Sequence, residues 1–498
     1  VVHRRLGIFG LLFVLTAAGL LRWYSIDSQS LWLDELWGIE IACGHGAEHQ
    51  VLPTDRLLVE PPGLTDLQSA RPTWAVWSHM DRIAGPPGSY LLLRGWMELF
   101  GQSESSLRGL SVLFSLAVIP VFFWLVQRDL GTVPALCAIT FFAVAGTQIH
   151  YAQDARPYSL LVFEAVCTLA VAQQIARGNK SRWWSALLVV AMLSKLLTHY
   201  FAITLLGVIG GWAMFAQPPA VRRRLLVCVA ITAIVFAVIW GPMMWRQLAV
   251  FSPHDRAAAF LHETGPGHVA NTLWRLLTMP MSLISDRRPI PYWYSVGGLI
   301  YLWGIGWAWV RRRGSWGLLV VLPALLLAML DLSRGTRHLE YVRYSILASL
   351  AVYVALAAVV KEYPRVGGVV CTAVLVQCLL ALPGVYSPQN ADFRAFGESI
   401  NATCARGDVI VFAGPAEIYA PQILYLAASH YAWPLPGPVM LIESPASPAA
   451  MEQLRSYDHV YLAADPKVTS ARTWLPGFHI AAGKSWPVVG SLLEMRRN

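Results

Sequence analysis

The sequence predicts a polytopic α-helical membrane protein, with about eleven transmembrane helices, juxtamembrane helices in the first outer loop and a small C-terminal extracytoplasmic α/β domain. Three observations predict it. Hydrophobic residues make up 56% of the 498 and charged residues only 13%, at a mean hydropathy of +0.50, more apolar matter than a water-soluble globule can cover. The apolar residues come in runs of roughly 16–22, close to the ~20 that a helix needs to cross ~30 Å of hydrocarbon. Short basic clusters separate these runs at alternate loops. Spanning β-strands would alternate every second residue, and these runs do not.

The first run, Leu6 to Tyr24, follows His3, Arg4 and Arg5 as a signal peptide would, but it lacks a small-residue cleavage site and reads as the first span. With its basic start on the cytoplasmic side, every second short loop should be basic. Arg128 follows the run Ser105 to Val126, and Arg177, Lys180 and Arg182 follow Pro157 to Ala176. Arg222, Arg223 and Arg224 follow Tyr200 to Ala216; Arg311, Arg312 and Arg313 follow Tyr292 to Val310; Lys361 and Arg365 follow Tyr341 to Val360. This alternation requires that Pro86 to Phe100 not cross. At ~1.5 Å per residue it would reach only about 22 Å, and it carries Arg94 and Glu98, so it reads as a helix starting at Pro87 and lying in the interface.

The unusual polar segments then all fall on the outer side: Ser25 to Gly85, "HYAQDARPY" at His150 to Tyr158, "THYF" at Thr198 to Phe201, Arg246 to Pro291, "SRGTRHLEYVRY" at Ser333 to Tyr344, and everything after Pro383. The tail changes character. Its "GDVIVFAG" and "DHVYLAAD" read as strands, with a helix over "PAEIYAPQILYLAASHY" between them and no G-x-G-x-x-G to suggest a dinucleotide. The domain division is therefore 1–384 in the membrane, with 25–104 as an outer loop carrying juxtamembrane helices, and 385–498 soluble. The net charge of +9 is dispersed as orientation signals, which argues against a nucleic-acid partner. Five of seven cysteines lie in apolar runs; Cys43 and Cys404 alone are placed to face an oxidising compartment, and a disulfide between them is only a guess.

Chemistry concentrates in those outer segments. In "SLWLDELWGIEIA", Asp34 and Glu35 sit among Leu31, Trp32, Leu36, Trp37 and Ile39, which suggests an amphipathic helix resting on the bilayer. A carboxylate half desolvated there is a proton acceptor, or, as ordinarily, a solvated acid or helix N-terminal charge. Asp154, at the mouth of another span, offers a second carboxylate; with Asp34 it is a candidate ligand for Mg²⁺ or Mn²⁺, or it simply pairs with Arg156. Arg343 follows Arg334 and Arg337 into the apolar run that starts at Tyr341, where an arginine needs an anion such as phosphate unless it snorkels. Lys195, His199, Tyr158 and His262 are further candidates near the same outer ends.

Taken in order, these motifs resemble the type C glycosyltransferases, specifically the bacterial branch similar to protein O-mannosyltransferases and lipid A aminoarabinose transferases. "SLWLDELW" is similar to that family's first outer motif, with Asp34 in the place of its acidic catalytic residue. "GPPGSYLLLRGWMELFGQSESSLRGLSVLFSL" resembles its Pro-Pro segment, and "IHYAQDARPYSLL" its second acidic motif. "RYSILASL" is similar to its Arg-Tyr start of a late span, and "DFRAFGESINATCARGDVIVFAG" to the opening of its outer domain. One departure stands out: such families often carry a lysine, histidine or similar polar residue just before the Pro-Pro pair, where this chain has Gly85, with Arg82 three residues upstream as the substitute phosphate contact.

The resemblance implies a bacterial inner-membrane enzyme that moves a sugar from a polyprenyl-phosphate donor to an acceptor glycan, lipid or protein, with inversion. Asp34 would deprotonate or orient the acceptor, while Arg343, Arg156 and a divalent ion would stabilise the departing phosphate. A transporter or flippase of polyprenyl-linked glycans is the alternative; it would need polar residues through the membrane, where the spans offer little beyond Glu164. The surplus of arginine over lysine, 33 to 5, fits a GC-rich bacterial genome.

Overall fold

The computed structural model of the chain describes residues 2–250, 262–263, 265–284, 314–416, 419–468 and 471–497. It divides into two compact units. The helical unit comprises 1–26, 108–242 and 261–387, and the mixed unit 27–107, 243–260 and 388–498.

Six described helices are long and apolar enough to cross a membrane: Arg5–Trp23, Glu104–Leu130, Tyr158–Ala176, Pro219–Val250, Ser315–Arg334 and Pro364–Tyr386. A bent pair, Thr132–Val144 and Gly146–Ala152, turns through 57° at Ala145. Arg182–Thr198, Ile203–Ala216 and Ala348–Glu362 are shorter. The expected span Tyr292 to Val310 and the basic cluster after it lie outside the described residues. Pro86 to Phe100 yields only a 13-residue helix, Gly88–Phe100.

The bend at Ala145 shows how this unit balances its polar atoms. A broken helix releases carbonyls that hydrocarbon cannot satisfy. Arg22, fully buried, supplies the missing donors: Nη1 donates to the Ala143 carbonyl at 2.9 Å, Nη2 to that of Phe142 at 3.0 Å, and Nε to Ser115 Oγ at 2.8 Å. Around it Phe142 packs tilted against Phe122 and edge-on against Tyr353, at centroid distances of 6.3 and 6.2 Å, and the Tyr353 hydroxyl donates to the Leu283 carbonyl at 3.0 Å.

One boundary differs from the sequence reading. The apolar run from Tyr341 is not helical at its start: His338–Glu340 and Val342–Tyr344 are 3₁₀ turns, and the α-helix begins only at Ala348. The cause is Asp331, buried at the end of Gly314–Arg334. Its carboxylate accepts from the backbone amides of His338 and Leu339 at 2.7 and 2.9 Å and from Thr336 Oγ1 at 2.8 Å. Gly335, at φ +62°, ends the preceding helix in the left-handed conformation that a side chain resists. The segment is thereby tied down, and Arg343 sits in a turn.

The mixed unit is built on a six-stranded sheet of order β1-β3-β2-β4-β6-β5, with β1 Leu57–Leu58, β2 Val409–Ala413, β3 Val439–Ile442, β4 Val460–Ala464, β5 Phe478–Trp486 and β6 Gly490–Arg497. Strand β2 runs parallel to β3 and β4, pairing Val411 with Met440 and with Leu462; all three strands are wholly buried, as unbroken apolar runs in a parallel sheet require. The two strands read from the tail are β2 and β4. The first outer loop contributes the edge strand β1, antiparallel to β3.

Helix Leu33–Ala42 corrects the expectation of a helix resting on the bilayer. Leu36, Gly38, Ile39, Glu40, Ile41 and Ala42 are all buried, with Gly88–Phe100 and the tail helix Ala420–Tyr431 packed on it. Local periodicity cannot see a cover that arrives almost four hundred residues later. The guess that Cys43 pairs with Cys404 also fails, since both are buried free thiols.

Candidate functional site

In the helical unit, four of the expected residues meet at one turn. Helix Arg182–Thr198 carries Lys195 and ends at His199, whose Nδ1 accepts the Phe201 amide proton at 3.2 Å. That bond leaves the imidazole proton on Nε2. Tyr158 opens the neighbouring helix Tyr158–Ala176, with its ring 6.1 Å from that of His199 and 5.0 Å from that of Tyr151. On the other side Phe201 packs 5.1 Å from Tyr344, and the Arg343 guanidinium lies over the rings of Tyr341 and Tyr344 at 5.2 and 5.1 Å.

The electrostatics show what gathers there. Burial, then the guanidinium groups of Arg156 and Arg343, then the Lys195 ammonium, push the His199 imidazole down to about 3. Burial is the larger cause and the three cations add to it, so the ring is neutral with a proton to donate. Lys195 is fully buried, with Nζ donating to the Leu161 carbonyl at 3.0 Å. One turn away Glu164 Oε1 accepts from Ser194 Oγ at 2.7 Å and Thr198 Oγ1 at 3.1 Å. Asp154 is buried in the turn after Gly146–Ala152. Ser111 Oγ donates to the Arg156 carbonyl at 3.3 Å and Gln153 Nε2 to that of Tyr24 at 2.7 Å, which fixes this turn.

His262 lies apart from these side chains. Its backbone bridges Thr336, and its side chain is exposed. Next to it Glu263 accepts from Asn271 Nδ2 at 2.9 Å and from Arg275, and these bonds, Arg275 foremost, hold its carboxyl down to about 2. Arg275 also reaches Glu340 at 3.0 Å, so this segment is stapled to the turn that precedes Arg343.

The mixed unit holds the acidic pair. Glu35 is buried, and its Oε2 accepts the Trp32 amide at 3.0 Å, closing the start of helix Leu33–Ala42. Asp34 beside it remains partly accessible. Glu40, further along and fully buried, accepts the His49 amide at 2.8 Å and meets His49 Nδ1 at 2.5 Å. The helix start is held from the tail: the Leu31 amide donates to Tyr431 Oη at 2.6 Å, and that hydroxyl donates to Glu104 Oε1 at 2.5 Å. Helix Phe393–Thr403 can approach Tyr431 because residue 397 is glycine; a Cβ there would lie 2.3 Å from the Tyr431 Cβ. Arg82 is exposed, and Gln247 Nε2 clamps its loop by donating to the Met80 and Gly85 carbonyls at 2.8 and 3.0 Å.

Sequence reasoning missed Phe201, Tyr344, Tyr431, Glu104, Arg22 and Asp331. The signal available for Tyr344 was its place beside Arg343; for Glu104 and Tyr431 there was none, since they act through distant pairing. Among the described residues no three His, Cys, Asp or Glu side chains form a cluster able to hold a metal ion. Asp34 and Asp154 belong to different units.

Residues 84–245 match the family of dolichyl-phosphate-mannose-protein mannosyltransferases. No curated protein matches the chain. Among solved structures, ArnT from Cupriavidus metallidurans in its apo state aligns over 98% of both chains at 15% identity and a TM-score of 0.60. The Archaeoglobus fulgidus oligosaccharyltransferase, tethered with an acceptor peptide containing the NVT sequon, aligns over 98% of this chain and 74% of its own, at 11% identity and a TM-score of 0.55. At these identities the likeness shows a fold shared with these two proteins.

Proposed function

We propose that this chain is a membrane glycosyltransferase that moves a sugar from a polyprenyl-phosphate donor to an acceptor hydroxyl on the outer face of a bacterial cytoplasmic membrane. The observation that carries the reading is the convergence of Arg156, Arg343 and Lys195 on His199, beside an aromatic wall, in a unit made of membrane-length helices. Guanidinium groups oriented on aromatic faces at a span end are suited to recognise a phosphate. A lipid phosphate is the anion that a bilayer presents there, and the match of residues 84–245 to a family using a dolichyl-phosphate sugar supports the same donor class.

In the proposed step the acceptor oxygen attacks the anomeric carbon and the bond from that carbon to the phosphate oxygen breaks. The acceptor proton passes to Asp34, and polyprenyl phosphate leaves with inversion at carbon. Arg343 and Arg156 face the charge that grows on the departing phosphate, where preorganised cations give large rate effects. The neutral His199 donates its Nε2 proton to the same group. Glu35 serves Asp34 indirectly, by holding the helix start. Arg82 is a second, exposed phosphate contact.

A divalent ion enters the proposal at Asp34 and Asp154. Mg²⁺ is commonly held by one or two carboxylates with substrate phosphate completing its shell, so a three-ligand protein cluster is not required. The topology proposed is eleven crossings, in which the long helices and the bent pair are joined by the three shorter helices and by residues 292–310. Residues 1–384 form the transferase domain and 385–498 a soluble outer domain, with the first outer loop folded onto its sheet through β1.

The test is transfer by the purified chain in liposomes from labelled polyprenyl-phosphate sugars. Release of polyprenyl phosphate with labelled acceptor is expected, and Asp34→Asn should slow it by about 10²–10⁴-fold with unchanged thermal unfolding. Failure to use any polyprenyl-phosphate sugar would remove the proposal, and full activity in excess chelator would remove the ion.

A further inference from the structure

At the opposite end of helix Arg182–Thr198 from His199, a groove of about 590 Å³ opens in the helical unit. Its walls follow from helical spacing. Val189 and Val190 of this helix face Val227 and Ile231 of Pro219–Val250, whose stripe of lining residues begins two turns before Val227 at Ala220 and continues one turn before it at Arg223. Val190, Val227 and Ile231 are 61, 48 and 44% exposed, so the groove is an open, greasy slot of a size usual for a small-molecule site.

The head of the slot is basic. Of the two arginines that line it, Arg224 is spent on the protein: Nε donates to Ser185 Oγ at 2.6 Å and the two terminal nitrogens to the carbonyls of Asn179 and Ser181. Arg223 lines the same slot, is exposed, and makes no hydrogen bond or ion pair to any described residue. Both helices also start at this end, at Arg182 and Pro219, so their positive dipole ends reinforce it.

We propose that this groove is a binding site for one anionic glycerophospholipid, its acyl chain between Val190 and Val227 and its phosphate on Arg223. The chemistry is that of a diester phosphate over an apolar slot, at the end of the membrane unit that carries the basic loops, where anionic lipid is drawn to arginine. The polyprenyl-phosphate donor is not the occupant chosen, because the residues proposed for it stand at the far end of the same helix. The assignment depends on the membrane reading of these helices and not on the catalytic one.

The test is native mass spectrometry of the purified chain exchanged into nanodiscs of dioleoyl phosphatidylglycerol, of dioleoyl phosphatidylcholine, or of their mixture. One retained phosphatidylglycerol per chain is expected from the mixture. Arg223→Gln should reduce that retention about fivefold, Arg223→Lys should keep it, and Val227→Trp, which fills the slot from its lipid side, should abolish it. Equal retention of both lipids, or retention unchanged in Arg223→Gln and Val227→Trp, would reduce the groove to ordinary contact with the bilayer. Displacement of the retained lipid by equimolar undecaprenyl phosphate would reassign the slot to the donor and overturn the proposal.

Discussion

The acidic helix of the mixed unit and the cationic turn of the helical unit hold their charges in opposite ways. In helix Leu33–Ala42, Glu35 accepts the Trp32 amide and Glu40 is matched by His49 within the unit, while Asp34 stays partly accessible. At the His199 turn the cations meet aromatic faces and carbonyl oxygens: Arg343 lies on Tyr341 and Tyr344, and Lys195 on the Leu161 carbonyl. Rings and carbonyls orient these cations, Glu164 faces Lys195, and burial first, then the cations, hold the His199 ring neutral. Matched charge is a mark of structure. Guanidinium groups held flat on aromatic faces are oriented for recognition of a planar or phosphate anion.

The largest effect that would break this contrast is at Arg343. Arg343→Ala should lower kcat/KM for a polyprenyl-phosphate sugar by about 10²–10³-fold, the usual cost of a lost transition-state contact. Arg343→Lys should recover only part of it, since a point charge does not stack on Tyr341 and Tyr344 as a planar guanidinium does. Steady-state kinetics in liposomes measure both. Wild-type rates in Arg343→Ala would mean that its charge is merely structural.

Glu35 supplies the opposite case. Glu35→Ala strips the acceptor from the Trp32 amide and should cost about 1 kcal/mol of stability, read as a lower unfolding midpoint, while turnover per folded molecule changes little. Glu35→Gln keeps an acceptor oxygen and should stay near wild type on both counts. A collapse of turnover in Glu35→Gln at normal stability would move catalysis from Asp34 to its neighbour.

A smaller effect is expected at His199, and it depends on pH. Its folded value of about 3 lies below the ordinary imidazole value of about 6.5, so between these the unfolded chain binds the extra proton. Stability from this group is whole above about pH 6.5 and is lost as pH falls toward 3. His199→Gln should therefore flatten the fall of the unfolding midpoint between pH 6.5 and 4 and leave it unchanged at pH 8. A parallel shift at every pH would mean that burial and the neighbouring cations do not hold the His199 ring neutral.

Much of this fold could be read from the chain alone, for reasons that stop where long-range contact begins. Membrane-length helices follow from apolar runs, and β2 and β4 from short apolar stretches between turn signals, because both signals are local. The start of the helix after Arg343 was misplaced because hydropathy does not register Asp331, which pins the turn. Helix Leu33–Ala42 looked half exposed because its cover comes from Ala420–Tyr431. The hairpin of β5 and β6 was missed because β5, with seven consecutive exposed or half-exposed residues between its ends, shows no apolar alternation. At the His199 turn, Arg156, Lys195 and Arg343 stood out in the sequence as charges near span ends and His199 as a polar group there, whereas Phe201 carried no such signal and Tyr344 only its place beside Arg343.

The smallest expected effect sharpens the comparison at its weakest joint, the loop before the Pro-Pro pair. Gly85 stands where similar transferases often carry a polar residue, and a Cβ built there meets no atom within 4 Å. Its carbonyl is already held by Gln247, so a new side chain need not disturb the loop. Gly85→Lys should accordingly fold with a stability change within about 0.5 kcal/mol, as surface substitutions do. A cation placed there should lower KM for the donor about threefold to fivefold with kcat nearly constant, because it would bind ground state and transition state alike. An unchanged KM in a folded Gly85→Lys variant would mean that this loop does not face the donor phosphate, and Arg82 would lose its proposed role with it.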